Sequence, residues 1–301
     1  MKSAWHLVGH TSELASPGDF INLPVFGTEG IAVMNYEGYF HAWDGRCPHR
    51  GARIFGNETH GNRLPVCGYH NRCAKPTLTP GLVWQSIGGF IFVSSVRDLR
   101  RIDDLSSAHQ FLCNSPDGLR LISRQQFVMD CDWRVAVENA LDLEHVPHVH
   151  AQSLARLGLT RASLLKYGDG SSIEYMDSKE SARLDKIEPL FSHSIDHDYV
   201  HAHFFPYAAV SSTRGFTYSL QNYFPTPDGR TWFLHRLYAM PASGAAQSYV
   251  EGVARINAQV FAEDAEICAQ VPPWPEFVGK LGPADDRIAV FRDGLLNAGA
   301  I

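Results

Sequence analysis

The spacing of apolar and polar positions changes character along the chain. Up to about residue 110, short apolar, aromatic or β-branched runs at 5–8, 20–25, 30–35, 39–43 and 90–93 alternate with turn pairs. Those pairs are Pro17-Gly18, Glu37-Gly38, Pro80-Gly81 and Gly88-Gly89, and the pattern predicts a small all-β domain. A helical period follows: Trp133, Ala136, Val137 and Ala140 recur at three and four, with Asp132 placed as an N-cap. Pro147 should end this helix near His145 or Val146, so that the chain turns before His148 and His150. Strands are then expected at 172–177, 198–205, 216–224 and 231–240, the last two joined by the turn Pro225-Thr226-Pro227-Asp228-Gly229. A second amphipathic helix is expected over 250–271, with Val253, Ile256, Val260, Ile267 and Val271 on its apolar stripe and Phe261 at the edge.

With 301 residues, 45% of them hydrophobic, the chain is long enough for two domains, placed at 1–112 and 113–301. A net charge of -6 without any basic stripe argues against nucleic acid as a partner. No apolar run approaches a membrane span and MKSAWHLVGH carries no secretory core, so no membrane partner and a cytoplasmic location are expected. Six unevenly spaced cysteines read as metal ligands plus incidental thiols, not as a disulfide framework.

Two of those cysteines sit in paired motifs, CPHRG at 47–51 and CGYH at 67–70, with 17 residues between His49 and Cys67. A structural zinc site usually draws like ligands from each knuckle, whereas each loop here offers one cysteine and one histidine. Mixed pairs suit two metals. With Cys47 and Cys67 on one iron and His49 and His70 on its neighbour, the loops would straddle a [2Fe-2S] cluster of the Rieske kind. A zinc site is the alternative.

A second constellation lies in Asp132 to His150. Glu138, Asp142 and His145 fall on the helix side away from Trp133, with Asp142 and His145 one turn apart, and the bend at Pro147 can return His150 beside His145. His148 is read as a bystander. Two histidines and a carboxylate make a facial iron site. The missing carboxylate is assigned to Asp264, which falls within an apolar stripe where an unpaired charge would cost several kcal/mol. A buried ion pair to arginine is its alternative role. Asn257, two turns earlier on that face, and Asn139 are candidate supports of the ligands. The alternating His193, Ile195, His197, Tyr199, His201, His203 reads as one strand face, whether polar sheet surface, subunit contact or pocket lining. Part of the nearby aromatic load is expected to wall an apolar substrate cavity.

On AWDGRCPHRGA, the CGYH loop, GGFIFVSS and WRVAVENALDLEHVPHVH, the chain resembles the oxygenase (α) subunits of the Rieske non-haem iron oxygenases nearly throughout. The resemblance implies an α+β chain: an N-terminal all-β Rieske domain, then a helix-grip-like catalytic domain with an antiparallel sheet and flanking helices. It implies that Cys47, His49, Cys67 and His70 hold the cluster and that His145, His150 and Asp264 bind mononuclear Fe(II). Asp142 would relay electrons from a cluster histidine of one subunit to an iron-ligand histidine of the next, which requires a ring of subunits, a homotrimer or a multiple of one. No nucleotide fingerprint G-x-G-x-x-G occurs, so NAD(P)H would act through a separate flavin/iron-sulfur reductase, with or without a ferredoxin. The implied reaction uses O2 to hydroxylate or oxidatively demethylate a small aromatic or apolar substrate, as in aromatic compound catabolism. One departure stands out: the family commonly follows the second cluster histidine with Gly-Trp, and here Asn71-Arg72-Cys73 follow it. Two rival readings are a Rieske electron carrier and a ligand-binding module without mononuclear iron.

Overall fold

In the computed structural model, residues 5–25, 30–73, 75–76, 82–95, 107–167, 169–276 and 278–299 are described. The expected Pro80-Gly81 turn lies outside them. The chain divides into two compact units, residues 1–105 with 112–114, and 106–111 with 115–301.

The first unit contains β1 (His6–His10), β2 (Asp19–Leu23), β3 (Ile31–Tyr36), β4 (Tyr39–Trp43), β5 (His60–Asn62), β6 (Val66–Cys67), β7 (Arg72–Cys73), β8 (Val83–Ile87) and β9 (Phe90–Ser94). These form sheets in the orders β1-β9-β8 and β4-β3-β2-β5, plus the ribbon β6-β7. All five expected strands are present within one or two residues. The short β5, β6 and β7 lack an alternating apolar run, and tertiary pairing defines them. Phe20, Met34, Trp43, Ile54 and Phe55 pack with Cys47 and Cys67 into one buried cluster.

Beyond α1 (Ser107–Cys113), the second unit is built from β10 (Arg120–Met129), α2 (Trp133–Leu141), α3 (Val146–Val149), β11 (Leu159–Lys166), β12 (Ser172–Ser178), α4 (Ser181–Ile187), β13 (Tyr199–Phe204), β14 (Ala208–Thr213), β15 (Thr217–Pro225), β16 (Thr231–Ala239), α5 (Gly244–Cys268) and α6 (Asp286–Asn297). Its sheet runs β10-β16-β15-β14-β13-β12-β11, and every neighbouring pair is antiparallel. Helix α5 packs on it, Val250 against Leu237 and Ala239, and Phe261 against Phe233 at 4.8 Å. Helix α6 approaches a loop so closely that a Cβ on Gly294 would stand 2.7 Å from the Gly170 Cα. Among the described residues no helix is long and apolar enough to cross a membrane.

Three expectations are corrected. Helix α2 begins as read, with Asp132 accepting the Arg134 N–H at 2.8 Å, but stops at Leu141, short of His145. Asp142 is extended, and its carboxylate takes the Glu144 N–H at 2.7 Å, a local bond that competes with helix continuation. Pro147 sits in the first turn of α3, where its missing N–H costs nothing. The histidine run is not one strand: β13 starts only at Tyr199, leaving His193, Ile195 and His197 outside it. Helix α5 starts and ends earlier than expected, and its buried stripe is shifted. Ile256 and Val271 are 45% and 41% exposed, while Ala246, Val250, Val260, Phe261 and Cys268 are buried. A long helix on a twisted sheet buries the residues its crossing angle selects, and a hydrophobic pattern reads that angle only approximately. Strands β10, β11 and β14 were not anticipated, because β10 and β11 expose much of their length and β14 is small and uniformly buried.

Burial governs the titration of three histidines in this unit. It pushes His109 down to about 4, and His203 and His235 down to about 3. Their folded values lie below the unfolded one, so acid protonates the unfolded chain first and the stability these groups hold at neutral pH is lost as pH falls from about 6.5. Melting followed by tryptophan fluorescence should therefore weaken steeply between about pH 6.5 and 4.5, each histidine contributing about 1.4 kcal/mol per pH unit. His235→Gln should lower that slope by about one proton, and an unchanged slope would contradict the assignment.

Candidate metal centres and the family of the chain

The two metal-motif loops are built alike. Cys47 N–H donates to Ala52 O at 2.8 Å, and Arg46 Nη1 reaches Gly51 O at 2.8 Å. In each loop the N–H four residues after the cysteine returns to its carbonyl, Gly51 to Cys47 at 2.8 Å and Asn71 to Cys67 at 2.9 Å. Both returning residues are left-handed, with φ of 70° and 53°. Glycine takes that conformation freely and asparagine is among the side chains that tolerate it, which accounts for Asn71 where the family carries glycine. Arg72 and Cys73 then form β7, paired with Cys67 and Val66.

Cys47 and Cys67 are 8% and 2% exposed, whereas His49 and His70 are exposed with ring centroids 4.9 Å apart. The backbone N–H of His49 lowers the Cys47 thiol; burial opposes it and Cys67 adds to it. Thiolate is the form a metal takes. A pair of buried sulfurs beside a pair of exposed imidazoles, with both cysteines free of disulfides, fits an iron-sulfur cluster held on one side by sulfur and on the other by nitrogen.

In the second unit, Nε2 of His145 lies 3.1 Å from Nε2 of His150, and Oδ1 of Asp264 lies 3.0 Å from the latter and 3.5 Å from the former. Among the described residues these three side chains form a set able to hold a metal ion. Ligand atoms about 2.1 Å from a cation and at right angles around it would stand about 3.0 Å apart, so the triangle fits one face of an octahedron. The early stop of α2 creates it. His145 becomes the residue before α3 and His150 the residue after it, so one short turn separates them.

The other nitrogen of each ring faces a carboxylate. Asp142 Oδ2 is 3.4 Å from Nδ1 of His145, and Glu263 Oε2 is 2.7 Å from Nδ1 of His150 while accepting Ser153 Oγ at 2.8 Å. Carboxylates behind the ligand nitrogens fix ring orientation and raise ligand basicity. Asn139 Nδ2 donates to Asp264 Oδ1 at 2.7 Å. Burial disfavours imidazolium, but Asp142 and Asp264 outweigh it and lift His145 to about 9. His150 is raised likewise against burial, by Asp264 and Glu263. Asp264, despite burial, is pulled below the usual carboxylate range by His145, His150 and Asn139.

Of the residues singled out from sequence, Asp142, His145, His150, Asp264 and Asn139 are brought together. Glu138 is drawn away by Arg292, at 2.7 and 2.8 Å, and His148 is exposed. Asn257 lines the cavity beside the triad, with hydrogen-bond partners Ser219 Oγ at 3.4 Å and His235 Nε2 at 3.5 Å, and it makes no hydrogen bond to the three side chains of the triad. Glu263 was missed. Its signal was its position beside Asp264, since a metal-binding imidazole needs an acceptor on its second nitrogen.

Residues 4–77 match the family of the Rieske [2Fe-2S] domain, and residues 129–279, half of the chain, match the vanillate O-demethylase oxygenase C-terminal domain. The chain belongs to the Rieske non-haem iron oxygenases. It is 23% identical over 172 residues to the carnitine monooxygenase oxygenase subunit of Acinetobacter pittii (strain PHEA-2), a match taking in 49% of this chain and 46% of that one. The chain thus matches about half the length of that curated relative. Its fold is similar to that of a quaternary ammonium Rieske monooxygenase crystallised with an inhibitor, with a TM-score of 0.75 at 17% identity over 99% of this chain and 89% of the other. It is also similar to naphthalene 1,2-dioxygenase from Rhodococcus sp. bound to indole, with a TM-score of 0.72 at 16% identity over 100% and 90%.

In this Rieske oxygenase chain, Glu263→Ala should weaken Fe(II) binding roughly 10- to 100-fold while the visible absorbance of the cluster stays unchanged. Iron titration of the metal-free second site followed by calorimetry checks this, and parental affinity in the variant would remove Glu263 from the centre.

Proposed function

We propose that the chain is the terminal oxygenase of a multicomponent system, taking electrons from a separate reductase and using O2 to hydroxylate or oxidatively demethylate a small organic substrate. The observation that carries this reading is the coexistence in one chain of the Cys47, His49, Cys67, His70 loops and the His145, His150, Asp264 triangle. When bound, the two centres supply electron transfer and oxygen activation. The first unit is then the electron-entry domain and the second the catalytic domain.

The chain's own residues do the rest. Asp142 stands 3.4 Å behind His145 Nδ1, on the side of the ring away from the metal position, and its half-buried side chain leaves an edge for a histidine of a neighbouring copy in a ring. Glu263 stands 2.7 Å behind His150 Nδ1, and Asn139 orients Asp264. Beside the triad a cavity of about 80 Å³ is walled by Leu143, Leu154, Leu159, Met176, Val260 and Phe261, side chains that exclude water from the reacting end of a substrate. The relatives named above include one acting on carnitine and one binding indole, and that range leaves the substrate to the cavity.

Asp142→Asn should retain both metal centres and lose nearly all turnover. His150→Ala should lose mononuclear iron and keep the cluster's absorbance. Iron analysis with O2 uptake, using a surrogate reductase and a substrate panel, checks both. Parental turnover in Asp142→Asn removes the relay. About two irons per parental chain in place of about three would favour an electron carrier or a binding module.

A further inference from the structure

The cavity beside the triad is lined by polar side chains as well as apolar ones. Tyr199, His201, Ser211 and Gln221 face it from β13, β14 and β15, and Arg287 reaches it from α6. The Arg287 guanidinium is fully buried, 2% exposed, with Nε on Ser172 Oγ at 3.0 Å, Nη1 on Glu174 Oε2 at 3.1 Å and Nη2 on the His201 carbonyl at 3.1 Å.

Glu174, completely buried, also accepts from Arg161 Nε, so one buried carboxylate faces two guanidiniums. The nearby Asp286 is 43% exposed and divided between Arg161 at 3.5 Å and Lys166 at 3.3 Å. Arg287 and Glu174 form a buried pair of opposite charge, and Arg161 and Lys166, 33% and 41% exposed, outnumber Asp286 by one positive charge at the solvent edge of this wall. The carboxylates lining the cavity, Asp142 and Asp264, are both committed to His145.

His201 supplies an independent sign. It is buried, cross-strand from Glu174 on one side and Ser211 on the other, and its Nδ1 finds no hydrogen-bond partner among the described residues. Burial, with the Arg287 charge behind it, keeps this imidazole neutral, so the ring offers one donor and one acceptor. A buried polar atom left open at a cavity wall is what a ligand completes.

We propose that this wall is an anion subsite: Arg287 and His201 hold a carboxylate or sulfonate group of the substrate and place its apolar end toward His145, His150 and Asp264. Of the five guanidinium N–H donors, Ser172, Glu174 and the His201 carbonyl take one each, which leaves one on Nη1 and one on Nη2 for the oxygens of a planar anion. A substrate carrying only a cationic head group is disfavoured by the same charge, and a quaternary ammonium substrate fits when it brings its own carboxylate. This assignment rests on the cavity being the substrate site of the proposed oxygenase.

The test is binding, read by calorimetry on the full chain with cluster and Fe(II), under anaerobic conditions and without reductant. The probes are two matched series, benzoate, benzamide and phenyltrimethylammonium, and butyrate, butyramide and propyltrimethylammonium. In at least one series the carboxylate should bind about tenfold or more tighter than its amide, with the ammonium weakest. Arg287→Met should abolish that preference and Arg287→Lys should keep part of it. His201→Leu leaves the Arg287–Glu174 pair intact and should reduce the preference, which keeps the idea testable if Arg287→Met does not fold. Equal binding of carboxylate and amide, preference for the ammonium, no binding in either series, or a preference unchanged in His201→Leu would overturn it. The preference should survive in His150→Ala, so a parental chain that selects carboxylates but holds no mononuclear iron would sink the oxygenase reading and leave the subsite standing.

Discussion

Three polar atoms converge where the chain could least tolerate them unpaired. Oδ1 of Asp264 and Nε2 of His145 and His150 stand 3.0 to 3.5 Å apart, although the carboxylate comes from α5 and the imidazoles from a corner 114 residues earlier at the nearer ligand. Buried charge demands a partner. Most of the local architecture answers that demand: α2 stops before His145, α3 spans one short turn, and α5 runs long enough to carry Glu263 and Asp264 across the corner. The carboxylates behind both rings then set which nitrogen faces the metal position.

The seven-stranded sheet gives that corner a rigid floor. Its inner positions are buried along β13, β14, β15 and β16, and they carry His201, His203, His235, Ser211 and Gln221 among aliphatic and aromatic neighbours. Burial holds these histidines neutral, in contrast to His145 and His150, whose carboxylate neighbours raise them. The same residue type thus serves two ends on two faces of one cavity. Where carboxylates surround it, imidazole is favoured as the cation, whose proton a bound metal would replace; where sheet and Arg287 surround it, it is a neutral hydrogen-bonding group.

The loops of the first unit bring two kinds of candidate ligand to one place with opposite exposures. Each loop buries its cysteine in the Trp43–Phe55 cluster and leaves its histidine outside, and each closes on a left-handed residue whose N–H returns to the cysteine carbonyl. Ligand exposure follows from the loop geometry: the sulfur side is insulated, and the imidazole side is the one another molecule can approach.

Much of this was legible in the residues. The mixed Cys/His pairs, the Asp132 cap, the proximity of Asp142 to His145, and a carboxylate in the apolar stripe of a late helix all follow from short-range spacing, and short-range spacing is what a helix or tight turn converts directly into position. The end of α2, the start of β13 and the face of α5 that is buried were misread: a local bond at Asp142 competes with the helix in the first, and the packing of α5 on the sheet decides the last. Glu263, Glu174 and Arg287 gained their meaning only in three dimensions. Sequence fixes which side chains lie one turn or one strand apart, but a charge acts through space at 3 Å, and which distant segment comes within that distance is set by how the sheet and its helices pack.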